Sequence, residues 1–431
     1  MAHPPLHDEL LARTLVWAKA GSAFYRRHLD GCSADTAVRD LARLPLLTKE
    51  VATTYQQELR CGPQALGLGT FSSGTTGAAL LRMEHSAGED EALRDYLTSI
   101  GYEPTPRRIL EVVSPNHGYP GPAKPAVVRL LWAPYPSLFS LLEDALRSEI
   151  CGRRIDTMSI SLSALKEATA HVLHQRIDAR TFGVGDIYCN GSVLTPRWRR
   201  LVGDVWGAQV HDQYGLSEFR TLATECPTCG YFHFGLPPIV TEVIDPISCA
   251  PLAHGVGELV LTGLYPFVQR QPLIRFRTGD LVELGPTCAT RPEDFSLRPL
   301  GRVRDALIAG GNAGAEISFV PSLLENLVDD YAEVARHPST LEKLFETEGF
   351  QTGQPKIAAE RDNGGVRLCV GVVFVPELFP ERATELARTI VHRYRGAHRA
   401  LLGQQAAELS LHVELLAPGA RAPRWIRKYA V

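Results

Sequence analysis

The sequence predicts an α/β fold in two parts. Residues 1–300 form a large N-terminal domain of mostly parallel sheets covered by helices, plus a β-rich subdomain. Residues 301–431 form a small α+β C-terminal domain. Three observations predict this division. Between 137 and 212, helical and extended segments alternate with short connections, the pattern of a parallel sheet with helices on both faces. Between 239 and 284, apolar runs alternate with turn residues, which suits a more antiparallel region. After Gly301-Arg302-Val303-Arg304-Asp305 the chain starts again, with a helix, an apolar extended stretch and a second helix.

The elements follow in order. Leu6, Leu10, Leu11, Leu15 and Ala18 recur at helical spacing and predict an opening helix over 6–27. A looser region ends in Leu44-Pro45-Leu46-Leu47-Thr48-Lys49-Glu50. Helices are expected over 89–100, 138–147, 163–176 and 193–206, the last with Thr195 as cap and Pro196 in its first turn. Extended runs are expected at 109–113, 157–162, 186–189 and 210–212. In the C-terminal part, a helix around 321–330, a strand pair around 366–375 and a helix over 381–402 are expected.

Thr70-Phe71-Ser72-Ser73-Gly74-Thr75-Thr76-Gly77 is uncharged, hydroxyl-rich and punctuated by glycine. Glycines let backbone amides approach a ligand closely, and successive amides form a cup for phosphate oxygens. A plain linker has the same make-up. A Walker loop is excluded: Gly69 and Gly74 have its spacing, but Thr75 stands where that motif needs lysine. In parallel sheets, ligands bind beyond the carboxyl ends of strands. Asn190-Gly191-Ser192 and Tyr214-Gly215-Leu216-Ser217-Glu218 both fall there. Segment 115–136 mixes prolines and glycines with aromatics (His117, Tyr119, Trp132, Tyr135), a composition that suits either a pocket wall or a stiffened surface loop.

Of 431 residues, 45% are hydrophobic and 22% charged, the balance of a chain that packs a core. The net charge of −3 comes with scattered basic residues. The densest run, Arg197-Trp198-Arg199-Arg200, reads as the wet face of a helix, so neither nucleic acid nor a membrane surface is an expected partner. No apolar run reaches membrane-spanning length and Met1-Ala2-His3-Pro4-Pro5 lacks signal-peptide character. Nine cysteines, an odd and mostly scattered set, argue for a reducing, cytoplasmic setting.

Cys226-Pro227-Thr228-Cys229-Gly230 is a tight knuckle in which two thiolates can reach one metal. His233 is a candidate third ligand, and His211, Cys249 and Cys288 are candidates for the fourth. Structural Zn²⁺ is the expected ion. A redox dithiol is the rival reading, without a thioredoxin-like context around it.

Taken together, these turns resemble the adenylate-forming superfamily of acyl-CoA synthetases, and most closely its phenylacetate–CoA ligase branch. The resemblance spans nearly the whole chain. Ala23-Phe24-Tyr25-Arg26-Arg27-His28-Leu29 and Leu44-Pro45-Leu46-Leu47-Thr48-Lys49 resemble that branch's N-terminal segments, and Ser72 to Gly77 its phosphate loop. Asp212-Gln213-Tyr214-Gly215-Leu216-Ser217-Glu218 resembles Y-G-x-[ST]-E. Gly257-Glu258-Leu259-Val260 and Arg275-Phe276-Arg277-Thr278-Gly279-Asp280 resemble G-E-L-V and R-x-R-T-x-D. Gly301-Arg302 with Asp305 matches G-R-x-x-D.

The resemblance implies ATP, Mg²⁺ and coenzyme A as the small molecules handled, and a small carboxylic acid as substrate. It implies that Ser72, Ser73, Gly74, Thr75, Thr76 and Gly77 hold the β- and γ-phosphates. Glu218 would hold Mg²⁺, which prefers one or two carboxylates plus phosphate oxygens. Asp212, Tyr214, Gly215 and Ser217 would form the adenine side of the pocket, with Gly191 and Ser192 on the adenine edge. Asp280 would accept from the ribose hydroxyls, and Arg302 would lie beside the ribose and α-phosphate. Asp305 would be the hinge of a mobile C-terminal domain, and Lys428, after Pro423-Arg424, would be the catalytic lysine. Some relatives of this kind carry zinc at the position of the cysteine knuckle.

The chain departs from the pattern at four places. Ala78-Ala79-Leu80 follows the loop, segment 115–136 differs, residues 310–318 look inserted, and Arg427 replaces a glycine. An aromatic acid is the expected substrate. Alternatives are transfer of the acyl group to a carrier protein or an amine, and a non-catalytic, zinc-stabilised nucleotide scaffold. A monomer or homodimer is expected.

Overall fold

The structure, a computed structural model, describes residues 5–62, 66–71, 82–99, 107–113, 127–131, 138–150, 152–219, 221–235, 238–311, 314–338, 352–362, 365–406 and 410–420. The chain folds as two compact units. One comprises Met1–Pro106, Pro115–Ala123 and Tyr214–Pro299; the other comprises Arg107–Ser114, Lys124–Gln213 and Leu300–Val431.

In the first unit, an antiparallel meander of Ile239–Ile244, Gly255–Gly263 and Phe276–Leu284 forms the centre. Its middle strand is buried almost end to end, which is why it reads as a near-continuous apolar run. Gly257 opens the G-E-L-V element because a Cβ there would lie 2.4 Å from the Ile244 carbonyl oxygen. The opening helix, Pro5–Gly21, buries Leu10, Leu11, Leu15 and Ala18 in the same core as Leu259, Leu261 and Phe276. Tyr25 is fully buried. Its hydroxyl donates to the Pro272 carbonyl at 2.8 Å and accepts from the Ile274 amide at 3.1 Å. Leu66–Phe71 pairs antiparallel with Arg82–Ser86, which leads into the helix Ala87–Ser99.

In the second unit, the strands Val127–Leu131, Ile109–Val113, Thr157–Ser161, Asp186–Asn190 and the strand starting at Gln209 pair in parallel, in that order. Helices Leu138–Arg147, Leu162–His174 and Pro196–Trp206 share a core with Leu110, Val112, Met158, Ile160, Ile187 and Cys189. Period-two alternation sends Glu111, Ser159, Asp186 and Tyr188 to the other, half-buried face. The starts of the last two helices are locally specified. Ser161 accepts from the Ala164 amide and Thr195 from the Trp198 amide, with Pro196 at the first helical position.

The C-terminal stretch of this unit has a hairpin, Leu307–Gly311 with Gly314–Phe319, and a helix, Pro321–Val328. Its three-stranded sheet buries Leu368, Val370, Leu411 and Val413 beside Leu386, Ile390 and Tyr394 of the helix Pro380–Leu402.

The α/β class stands, with three local differences. The opening helix expected over 6–27 is two helices, Pro5–Gly21 and Ala23–His28, because Ser22 caps the second by accepting from the Tyr25 amide at 3.1 Å. The expected strand pair at 366–375 is one strand, Gly365–Gly371. Its partners are Ile357–Asp362, antiparallel, and Ser410–Leu416, parallel. A parallel partner requires a crossover, and the helix Pro380–Leu402 supplies it. The strand expected to close at 212 runs on to Leu216, so Tyr214 and Gly215 are extended and the turn begins at Ser217. None of the described helices is long and apolar enough to cross a membrane.

Candidate functional site

In the first unit, the end of the strand Gln209–Leu216 and the strand Phe276–Leu284 bring two predicted groups together. The Tyr214 hydroxyl donates to Asp280 Oδ2 at 2.6 Å. Asp280 is buried, its own amide donates to Thr278 Oγ1 at 3.1 Å, and the Thr278 hydroxyl donates to the Leu259 carbonyl. Gly279 holds φ at +72°, a left-handed conformation that a side chain would strain. The carboxylate is thus fixed by its own turn and by a tyrosine from another strand. The Tyr214 ring meets Phe234 edge-on, with centroids 5.9 Å apart.

The two arginines before Asp280 build this strand. Arg275, nearly fully buried, makes paired hydrogen bonds to Glu242 at 3.0 and 2.9 Å and donates to the Leu44 carbonyl at 2.5 Å. Arg277 pairs with Glu258 at 3.0 and 2.5 Å, and Glu258 also accepts from the Gly279 amide. Burial makes such charges costly unless geometry and hydrogen bonding are complete, and here they lock the turn that presents Asp280.

Glu218 lies in the turn after Leu216 and is buried. Lys49 Nζ stands 3.5 Å from its Oε1. Sequence reasoning assigned Lys49 no role. The available signal was its setting, a threonine cap followed by lysine at the first position of a short helix.

In the second unit, Gly191 turns at φ +88° directly after the strand Asp186–Asn190. Ser192 Oγ accepts from Gln354 Nε2 at 3.4 Å. Gln354 also lines a cleft of about 350 Å³, open mouth included, with Gly301, Arg302, Asp305, Pro321, Glu325, Pro355 and Ile357. The adenine-edge turn and the G-R-x-x-D element therefore share Gln354 as a neighbour. Asp212 lies on the strand Gln209–Leu216, opposite Cys189. Ser72 to Gly77 and Lys428 lie outside the described residues.

The cysteine knuckle closes a hairpin between Thr221–Glu225 and Phe232–His233. Gly230, at φ +69°, donates its amide to the Cys226 carbonyl. Ligand atoms of Cys226, Cys229, His233 and Cys288 all lie within 4.8 Å of one another. Cys226 and Cys288 sulfurs are 3.9 Å apart, and Cys229 Sγ is 3.2 Å from His233 Nε2. Two sulfurs each about 2.3 Å from one tetrahedral ion stand about 3.8 Å apart, so the donor set fits zinc. Burial opposes ionisation of Cys226. The amides of Cys229 and Thr228 and the Thr290 hydroxyl outweigh it and bring the thiol to about 6. His233 Nδ1 faces Asp294 at 3.8 Å, the kind of outer partner that orients a ligating imidazole. Of the other candidates for the fourth ligand, His211 hydrogen-bonds Asp186 at 2.7 Å and Cys249 faces Arg277.

No family model and no curated protein matches the chain. Solved structures do. An open-conformation structure of 2-hydroxyisobutyryl-CoA ligase with 2-HIB-AMP and CoA is 17% identical. The match covers 98% of this chain and 90% of that one, at a TM-score of 0.68. The same ligase in the postadenylation state with R3-HIB-AMP matches at 16% identity, over 98% and 87% of the two chains, with a TM-score of 0.65. ATP-bound MatB from Rhodopseudomonas palustris matches at 16% identity, over 82% and 65%, with a TM-score of 0.50. Across essentially its whole length, the chain has the fold of the 2-hydroxyisobutyryl-CoA ligase structures.

Proposed function

We propose that the protein activates a small carboxylic acid with ATP and transfers the acyl group to coenzyme A. The observation that carries this reading is the Tyr214–Asp280 pair at 2.6 Å. It sits at the two motifs where the resemblance puts adenine and ribose, in a chain whose whole length follows the ligase fold. A buried carboxylate held by one phenol and its own turn suits a ribose diol, whose two hydroxyls both donate.

In the first step the acid's carboxylate oxygen attacks the α-phosphorus of ATP. The bond to the bridging oxygen breaks and pyrophosphate leaves with that electron pair, giving an acyl-adenylate. In the second, a thiolate attacks the acyl carbonyl and AMP departs. The chain's contribution is positioning and charge neutralisation. Asp280 and Tyr214 hold the nucleoside, Gly191 and Ser192 border the base, and Arg302 and Lys428 face the α-phosphate. Ser72 to Gly77 cradle the leaving phosphates. Glu218, a buried carboxylate already facing a cation, fits Mg²⁺, which would lower the negative charge of the triphosphate. The part beyond residue 301 turns about Asp305 between the steps.

Zinc at Cys226, Cys229, His233 and Cys288 belongs to this reading as a structural ion that pins the hairpin after Glu218. The aromatic residues of 115–136 favour an aromatic acid, and the motif likeness favours the phenylacetate–CoA ligase branch. A carrier protein or an amine is the alternative acceptor. The test is product analysis by mass spectrometry over a panel of aryl and short hydroxy acids, with ATP and each acceptor. Acyl-CoA with stoichiometric AMP supports the proposal. AMP and product formed only with an amine or carrier protein shifts the acceptor, and ADP in place of AMP refutes it.

A further inference from the structure

We infer that Lys49 is a further catalytic residue: the counter-charge of Glu218 in the nucleotide-free protein and a ligand of the leaving pyrophosphate once nucleotide binds. The inference rests on the adenylation reading and adds to it a residue from the N-terminal segment.

Glu218 is buried, with 9% of its side chain exposed, and the Lys49 ammonium lies 3.5 Å from its Oε1. A buried carboxylate needs such a partner. Lys49 is not a loose surface lysine. Thr48 caps its helix by accepting from the Val51 amide at 3.3 Å. Leu47 is stitched to the strand that leads to Asp280, its amide donating to the Arg275 carbonyl and its carbonyl accepting from the Arg277 amide, both at 2.9 Å. Arg275 in turn donates to the Leu44 carbonyl. The backbone before Lys49 is therefore held by the same strand that presents the ribose carboxylate.

Mg²⁺ bound to one carboxylate completes its shell with water and phosphate oxygens. A cation within hydrogen-bond reach of Glu218 is then also beside those oxygens. A lysine stem has the freedom to move its charge by a few ångströms without backbone change. When nucleotide or pyrophosphate binds, Lys49 turns toward the β- and γ-phosphates with or without Mg²⁺, and Glu218 would then be open to hold the ion. Beside those phosphates the lysine neutralises charge that grows as the bond to the α-phosphorus breaks. No proton changes hands, because the lysine acts as a fixed charge.

The test compares wild type with Lys49→Gln and Lys49→Arg in two measurements. The first is calorimetric binding of ATP and of pyrophosphate in EDTA, which needs no turnover. The second is the Mg²⁺ midpoint of acid-dependent ATP–pyrophosphate exchange. Lys49→Gln is expected to weaken pyrophosphate binding in EDTA at least tenfold and Lys49→Arg to restore most of it. With its competitor gone, Glu218 should take Mg²⁺ at a midpoint several-fold lower while the maximal rate falls. Unchanged EDTA binding in a folded Lys49→Gln protein would overturn the inference and leave Lys49 a structural ion pair. A Lys49→Gln protein that fails to fold leaves the decision to Lys49→Met, which also removes the charge: unchanged pyrophosphate binding in EDTA overturns the inference there too. The binding comparison judges Lys49 whatever the exchange assay shows, and acid-dependent exchange by wild type judges the adenylation reading separately.

Discussion

Replacing Asp329 with Ala should be among the most destabilising single changes in the second unit, and its size can be worked from the structure. Asp329 is 1% exposed and sits just beyond the helix Pro321–Val328. Its carboxylate accepts from Thr195 Oγ1 at 2.5 Å and from the nearly buried Arg336 guanidinium. Its carbonyl accepts from Arg336 at 2.7 Å and from Arg197 at 3.2 Å. Burial and the neighbouring Arg336 charge lower the Arg197 pKa, and Asp329 opposes them. Truncating Asp329 strands Arg336 as a buried, uncompensated charge, a loss of about 3–5 kcal/mol. At about 2–4 °C per kcal/mol for units of about 150–250 residues, a loss of about 4 kcal/mol lowers the transition by about 8–16 °C. Urea or thermal unfolding of Asp329→Ala, Arg336→Met and the double variant measures it. The double variant should recover about 2 kcal/mol relative to the sum of the singles, because removing both partners leaves no lone charge. A single-variant loss below about 1 kcal/mol, or strict additivity, would refute the reasoning.

Tyr214→Phe leaves Asp280 without a 2.6 Å hydrogen bond; loss of a bond to a charged acceptor is worth about 1.5 kcal/mol. The KM for ATP should rise about tenfold with little change in Tm, as initial rates will show. The protein as purified should carry about one zinc per chain by elemental analysis. Stripping it, or changing Cys288 to Ser, should lower Tm by at least about 5 °C, equivalent to about 2 kcal/mol; an unchanged Tm would remove the metal from the hairpin. Burial disfavours the Glu89 carboxylate, but His85 and the amides of Arg270 and Gln269 outweigh it and hold its pKa below the ordinary value. The stability it lends is therefore complete above about pH 4.3 and is lost as pH falls through the lowered folded value. Glu89→Gln should flatten the acid limb of the stability curve measured between about pH 3 and 6 and lower stability at neutral pH.

Much of this arrangement is written locally in the chain. The parallel region was legible because helix starts such as Thr195 with Pro196 announce themselves and the strands are short apolar runs closed by turns. The knuckle Cys226-Pro227-Thr228-Cys229-Gly230 was legible for the same reason. What was hidden is what depends on partners far away in sequence. Cys288 was one of three candidates for the fourth ligand, and only its arrival from a distant loop beside the other sulfurs separates it from His211 and Cys249. Arg275 and Arg277 look like a charged surface turn until Glu242 and Glu258 are placed opposite them. The strand Gly365–Gly371 could not be paired from sequence because its two partners begin at Ile357 and Ser410. Lys49 is the sharpest case, since its significance comes wholly from Glu218, which lies in another motif.

Acid-dependent exchange of labelled pyrophosphate into ATP, without coenzyme A, tests the central claim most directly, because it reads reversible attack at the α-phosphorus and nothing downstream. The protein with its preferred acid should exchange label at a rate that vanishes when the acid is omitted. Asp280→Ala should weaken ATP use at least a hundredfold, as the loss of two hydrogen bonds to a charged acceptor at about 1.5 kcal/mol each requires. Exchange that is independent of any acid, or undiminished in folded Asp280→Ala, would contradict the account.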